Sequence, residues 1–415
     1  MKVGIEFFLV VVASLLLFSR CQDSDVNQPE DNQTNEITIG TLLSLTGNWS
    51  ALGITSKAAL ETAVKEINQN FQDGGGSLKF NLKVIDTKLD PETAYTETEK
   101  LISDGVEIII GPQSSAELAR IKPLLDVNNV FAISMGSTAG SLALNGDHVL
   151  RFCPDDKPEG TAISELMWER GICKVIAVYR NDEGNISLKR SMTKYFTGLG
   201  GTVIDSIKYS TDDNITSDLI RQISSILSSE NNPAETAIYL AGFNEIAQIF
   251  AFAISDTILS SALWFGSNGS AMSTELISNT EVARFANRVG FCSPLFALSA
   301  ETENEWSSLA TSIEQATQHK PDAYTLAAYD AVQVAALAYY SVGSNYQFEN
   351  LFSEYINIAS EYQGLTGLTE LNEAGDRKYG NFTLMGICGS DPSYEWTPVG
   401  SYNTASGLLI YNGCN

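Results

Sequence analysis

Short runs of consecutive apolar residues recur along the chain, and between them apolar residues fall three and four apart. The runs at 37–43, 78–85, 106–110 and 130–133 predict strands, and the two at 106–110 and 130–133 show no alternation, which predicts burial on both faces. The segments between them predict helices over 55–70, 91–103 and 115–127. In the last of these, Leu118, Ile121, Leu124 and Leu125 share one side. After residue 160 the pattern restarts. It predicts helices over 161–170, 185–199, 217–229 and 244–255, with strands over 174–179, 201–209, 236–240 and 262–266. A last stretch predicts a strand over 294–298, helices over 302–317, 323–341 and 348–360, and closing strands over 366–369 and 381–387. Strands alternating with helices in this way predict an α/β protein with doubly wound parallel sheets.

Two strand exits carry the candidate chemistry. The chain reads D-G-V-E-I-I-I-G-P-Q-S-S from 104 to 115 and A-I-S-M-G-S-T-A from 132 to 139. In one β-α-β unit these exits lie side by side at the carboxyl edge of the sheet, where open α/β sheets bind ligands. Hydroxyls and free N–H groups at a strand-to-helix turn form an anion site, so Ser114, Ser115, Ser137 and Thr138 are candidate ligand contacts. The same serines and threonine could instead cap the following segments.

Charge and composition narrow the class. With 50 acidic against 25 basic residues the formal net charge is −25, which excludes nucleic acid as an expected partner. At 415 residues the chain is long enough for two domains. Lys2 precedes an apolar run over 7–18, too short for a typical membrane span. Residues 1–20 are therefore expected to be a signal peptide and 21–36, polar and acidic, a tether. Cys21 follows the apolar run as in bacterial lipoproteins, so the expectation is lipidation at Cys21, with ordinary cleavage nearby as the alternative. Export permits disulfides. Cys388 could pair with Cys414 and Cys153 with Cys173, leaving Cys292. The cysteine spacing fits no zinc motif, and neither a metal nor a cofactor is expected. The two histidines, His148 and His319, stand near no recognisable nucleophile, and the common hydrolase and nucleotide-binding motifs are missing from the sequence.

Taken in order, I-G-T-L-L-S-L-T-G, D-G-V-E-I-I-I-G-P-Q-S-S, A-I-S-M-G-S-T-A, L-R-F-C-P, W-F-G-S-N-G, A-Y-D-A-V and G-L-T-G-L-T-E-L-N-E-A-G-D-R resemble the type I periplasmic binding proteins of the branched-chain amino acid (leucine/isoleucine/valine) receptor group. The resemblance implies two Rossmann-like lobes with parallel sheets joined by a three-strand hinge. Lobe 1 would hold 37–153 and 291–366, and lobe 2 would hold 154–290 and 367–415. Crossings would fall near Pro154, near Gly290 and after Gly367. A ligand would sit between the lobes and be buried by hinge closure.

The resemblance also assigns residues. Ser114 and Ser115 match positions that hold a ligand carboxylate. Gly136 matches one that offers a carbonyl to an amino group, and Thr138 one that offers N–H and hydroxyl to the carboxylate. Trp49 and Leu52 lie in the loop that shapes the side-chain pocket, although Leu52 could be plain core. Phe243 keeps a family ring without its hydroxyl. Asn268 stands where amino-acid binders place an acid, and it supplies no countercharge. Glu183 or Asp182 could compensate. Asp330 is expected to be structural. The functional expectation is an exported, periplasmic or cell-surface solute-binding protein, monomeric, that delivers a small polar ligand to an ABC permease. An amino acid, an amide or a carboxylate would fit. A sensor component without transport and an amidase-like enzyme are the alternatives.

Overall fold

A computed structural model of the protein describes residues 35–210 and 217–414. The expected signal peptide, most of the tether and Cys21 lie outside the described residues.

The first sheet contains β1 (Asn35–Leu43), β2 (Leu78–Asp86), β3 (Ile108–Ile110), β4 (Phe131–Ser134) and β5 (Val149–Arg151) in the order β2-β1-β3-β4-β5, all parallel. Every residue of β3 and β4 is buried, as an unalternating apolar run requires. Helices α1 (Ser50–Asp73), α2 (Pro91–Ser103) and α3 (Ser115–Asn128) connect these strands. The second lobe begins with α4 (Asp156–Glu169), then β6 (Lys174–Arg180), α5 (Glu183–Gly198) and β7 (Thr202–Tyr209). It continues through α6 (Ser217–Ser228), β8 (Thr236–Ala241), α7 (Ile246–Ala253), β9 (Leu263–Gly266), α8 (Thr280–Arg288) and β10 (Cys292–Phe296).

Three helices then return to the first lobe: α9 (Glu303–Thr317), α10 (Ala323–Val342) and α11 (Phe348–Glu361). Helix α10 lies along α1, and the buried hydroxyls of Thr55 and Thr325 join them at 2.7 Å. The ring of Phe131 in β4 packs against Phe348, Phe352 and Tyr355 of α11. The short strands β11 (Gln363–Gly364) and β12 (Gly367–Leu368) pair with each other. Strands β13 (Phe382–Ser390), β14 (Ser393–Asn403) and β15 (Leu408–Tyr411) complete the second sheet, in the order β15-β14-β13-β10-β9-β8-β6-β7. Its β7 to β10 part is parallel and its β13 to β15 end is antiparallel.

Strand β10 pairs with β9 and β13, so residues 291–296 belong to the second sheet rather than to lobe 1. The middle crossing therefore follows Phe296 instead of lying near Gly290. The local pattern ends a strand and starts a helix in either arrangement, and only pairing with β13 assigns it. The three crossings run side by side. Arg151 N–H donates to the Gly375 carbonyl, Arg377 N–H to the Arg151 carbonyl, and Ala297 N–H to the Asn381 carbonyl. A fully buried ion pair between Arg151 and Asp376 ties the first crossing to the third.

Cys388 and Cys414 form a disulfide with their Cα atoms 5.5 Å apart. The expected Cys153–Cys173 pairing is not formed, and both are free thiols. Cys153 is buried at the first crossing, where its thiol meets the Ser137 carbonyl at 3.3 Å, whereas Cys173 is exposed. The 14 residues of α4 lie between them. A helix of that length spans roughly 20 Å, far beyond disulfide reach. Among the described residues no helix is long and apolar enough to cross a membrane.

Candidate ligand-binding cleft

The two predicted strand exits meet. The hydroxyls of Ser115 and Ser137 are 2.9 Å apart, and Ala139 N–H donates to the Ser115 hydroxyl at 3.2 Å. Ser134, which the sequence reading passed over, organises the turn. Its hydroxyl donates to the Pro112 carbonyl at 2.5 Å and accepts from the N–H groups of Gly136 and Ser137. Gly136 leaves no room for a side chain, since a Cβ there would stand 2.9 Å from the Gln113 carbonyl oxygen and 3.2 Å from the Trp49 ring. Leu52 is buried beside it.

Ser114 is the N-cap of α3. Its hydroxyl lies 2.6 Å from Glu117 Oε2, and its N–H donates to the same oxygen at 3.1 Å. This reciprocal capping box engages the N–H and hydroxyl of Ser114, the capping role that the sequence left open as the alternative to ligand contact. Glu117 is fully buried, and burial raises its pKa despite the serine.

The opposite wall comes from the second lobe. The Trp49 ring lies 5.1 Å from the Phe243 ring and 6.3 Å from that of Tyr324. Trp49 holds this position at the mouth of α1 with φ of 59°, in the left-handed region that non-glycine residues seldom adopt. Asn268 donates through its side-chain amide to Tyr324 O–H at 3.0 Å, and its backbone N–H donates to Glu159 Oε1 at 2.9 Å. The Ser187 hydroxyl accepts from Gly140 N–H at 3.0 Å, and Ser141 donates to Glu183. A Cβ placed on Gly184 would be 3.6 Å from that of Ser115. The contacts of Trp49 with Phe243, Asn268 with Tyr324, Gly140 with Ser187 and Ser141 with Glu183 cross between lobes, so the cleft is closed.

Asp156 and Glu159, on the first turn of α4, were not singled out from the sequence. Acids in a first helical turn ordinarily read as solvated dipole partners. Both are only 1% exposed. Burial pushes the Asp156 carboxyl up to about 7, with the Ser187 and Thr138 hydroxyls opposing the shift. Burial, reinforced by Asp156, raises Glu159 well above the usual carboxylate range. Thr138 meets this turn directly, its carbonyl accepting from Asp156 N–H at 2.9 Å.

Asp330, by contrast, serves the framework. It accepts from Leu365 N–H at 2.7 Å and from both the N–H and the hydroxyl of Thr366 at 2.9 and 2.6 Å.

Residues 55–390 match the model of the receptor family ligand binding region. The chain belongs to that family. An uncharacterized protein of Methanocaldococcus jannaschii is 26% identical over 418 residues, covering 96% of this chain and 98% of its own. The Leu/Ile/Val-binding protein BraC3 of Rhizobium johnstonii is 24% identical over 356 residues, covering 84% and 91%. Among solved structures, a leucine-binding protein of Thermotoga maritima superposes with a TM-score of 0.72 at 21% identity, covering 89% of this chain and 99% of that one. The fold is that of the type I periplasmic binding proteins, of the branched-chain amino acid receptor kind. In this receptor family setting, the surface between Trp49 and Phe243 is the interlobe cleft.

Proposed function

We propose that the protein is an extracytoplasmic solute-binding protein. It captures a small polar ligand of the amino acid, amide or carboxylate classes between its lobes and presents it to an ABC permease. The observation that carries this reading is that two hydroxyl-rich strand exits of one lobe meet each other and Trp49, whose ring packs on Phe243 of the other lobe, beside three side-by-side crossings. Such crossings let two lobes open and close about a few residues. The groups on offer are hydroxyls, amides, carboxylates and rings, which bind and orient but provide no activated nucleophile. The names of relatives such as the Leu/Ile/Val-binding protein support binding rather than turnover. Export and lipid anchoring through Cys21 belong to the same reading and rest on the leader-like sequence.

Mass spectrometry of small molecules released on denaturation, followed by calorimetry with the compound found, tests it. Stoichiometric, reversible binding without turnover is expected. Phe243→Ala and Trp49→Ala should each weaken it by tenfold or more, since each removes a desolvated ring contact. Consumption of the compound, or unchanged affinity in both variants, would sink the reading. Flux restored through a reconstituted permease separates transport from sensing.

A further inference from the structure

The first turn of α4 holds carboxylate oxygens that the rest of the protein does not satisfy. Among the described residues, Asp156 Oδ1, Asp156 Oδ2 and Glu159 Oε2 have no hydrogen-bond partner, although both side chains are buried. Ionised carboxylates are kept out of water at large cost unless a cation or several donors meet them. The chain provides little of either. Asp156 faces the Thr138 and Ser187 hydroxyls, with Arg151 and Asp155 acting on it from a distance. Arg151 gives its Nε to Asp376 and its Nη1 to the carbonyls of Ser137 and Ala139, and its buried Nη2 has no hydrogen-bond partner among the described residues. Asp155 is paired with Lys157. Glu159 faces the Asn268 N–H, Asp156 and the side chains of Tyr239 and Tyr324, and no cation among the described residues acts on it. The buried group thus sets one guanidinium, Arg151, against three carboxylates, Asp376, Asp156 and Glu159.

We propose that the cleft takes a ligand of net positive charge, a small diamine, amidine or basic amino acid, whose cationic nitrogen is met by Glu159 and Asp156. This rests on the binding reading above and narrows it. A protonated amine carries three donors and no acceptor, and it would face Glu159 Oε2, which no donor meets, and the Asp156 carboxylate, which only the Thr138 and Ser187 hydroxyls approach. Glu159 accepts from Asn268 N–H, and Asn268 in turn reaches Tyr324 beside the ring of Trp49, so its carboxylate lies two hydrogen bonds behind the ring at the lobe boundary. The ring of Trp49 adds a face that attracts cations, whereas the ring of Phe243 already carries the Arg180 guanidinium at 5.2 Å. The acid missing at Asn268 is in this way supplied from another element, because Glu159 holds the Asn268 backbone. A ligand that is only a carboxylate would instead bring further negative charge to a turn where Thr138 already faces Asp156, and a neutral amino acid would offset one of the two acids with its ammonium while adding a carboxylate of its own.

The test is a thermal-shift and calorimetric comparison on the full chain at pH 8. Putrescine, agmatine, L-lysine and L-arginine are set against L-leucine, benzoate and 4-methylpentanoate. At least one cationic probe should raise the melting temperature, and the neutral and anionic probes should not. Glu159→Gln keeps the oxygen that accepts from Asn268 and should weaken the cationic probe tenfold or more without lowering the unliganded melting temperature. Asp156→Asn should weaken it in the same direction. Binding of L-leucine or benzoate with all cationic probes silent overturns the charge assignment and leaves the binding reading standing, as does affinity within twofold of wild type in both variants. Silence of every probe, with native mass spectrometry showing the bare chain, counts against both.

Discussion

Single residues in this cleft do two jobs, and the structure separates them. Ser114 looks like a ligand contact in sequence, yet its hydroxyl and N–H are held by Glu117. Ser114→Ala should therefore cost about 1 kcal/mol of stability, the usual worth of an N-cap, measured by urea denaturation. Asp156 makes a pH-dependent contribution. Its folded pKa of about 7 lies above its ordinary value of 3.8. The folded state binds this proton more tightly than the unfolded one. The associated stability is fully present below about pH 4 and is lost as pH rises through about 7. A shift of this size corresponds to on the order of 4 kcal/mol. Asp156→Asn should remove that slope, so denaturation midpoints of variant and wild type should move apart between pH 4 and 7 in favour of the variant. Parallel pH profiles would count against the buried, unpartnered state of this acid.

At the scale of elements, close approach is bought by glycine. In β11, a Cβ on Gly364 would stand 2.4 Å from the Asp330 carboxyl carbon, so the loop can deliver the N–H groups of Leu365 and Thr366 only with glycine there. Gly364→Ala should lower stability by about 3 kcal/mol through overpacking at a fully buried carboxylate. Chemical denaturation checks it, and a loss under 0.5 kcal/mol would show that α10 can shift to accommodate the methyl group. The elements were largely legible in sequence because apolar runs and helical spacing are local. The β3 and β4 runs and α10 follow the predicted pattern closely. Helix α1 starts at Ser50, five residues before the predicted Thr55 start, which places Leu52 on a helix rather than in a loop. Strands β14 and β15 were missed. Their polar and exposed positions dilute the apolar signal, and pairing with β13 and with each other forms them.

At the scale of the whole molecule, the lobes are closed on one another. Ser115 and Gly184 lie on opposite lobes at a separation matched to a disulfide, with 3.6 Å between the Ser115 Cβ and the Cβ position of Gly184. Ser115→Cys combined with Gly184→Cys should oxidise readily and lock the cleft. A ligand bound beforehand should then dissociate at least tenfold more slowly than after reduction, as followed by dialysis of labelled ligand. No change in off-rate with full cross-linking would show that the ligand enters without opening of the lobes.

Sequence alone determined the α/β class, the two strand exits and the family resemblance, because each depends on residues adjacent or nearly adjacent in the chain. The order of motifs also pointed to Phe243 and Asn268, and the Trp49–Phe243 and Asn268–Tyr324 contacts put both at the boundary between the lobes. Only the tertiary structure decided the membership of β10, the state of Cys153 and the burial of Asp156 and Glu159. Strand membership is a matter of pairing partners distant in sequence. A first-turn acid is ordinary until the fold buries it, and burial without partners is what turns Asp156 and Glu159 into candidate binding groups.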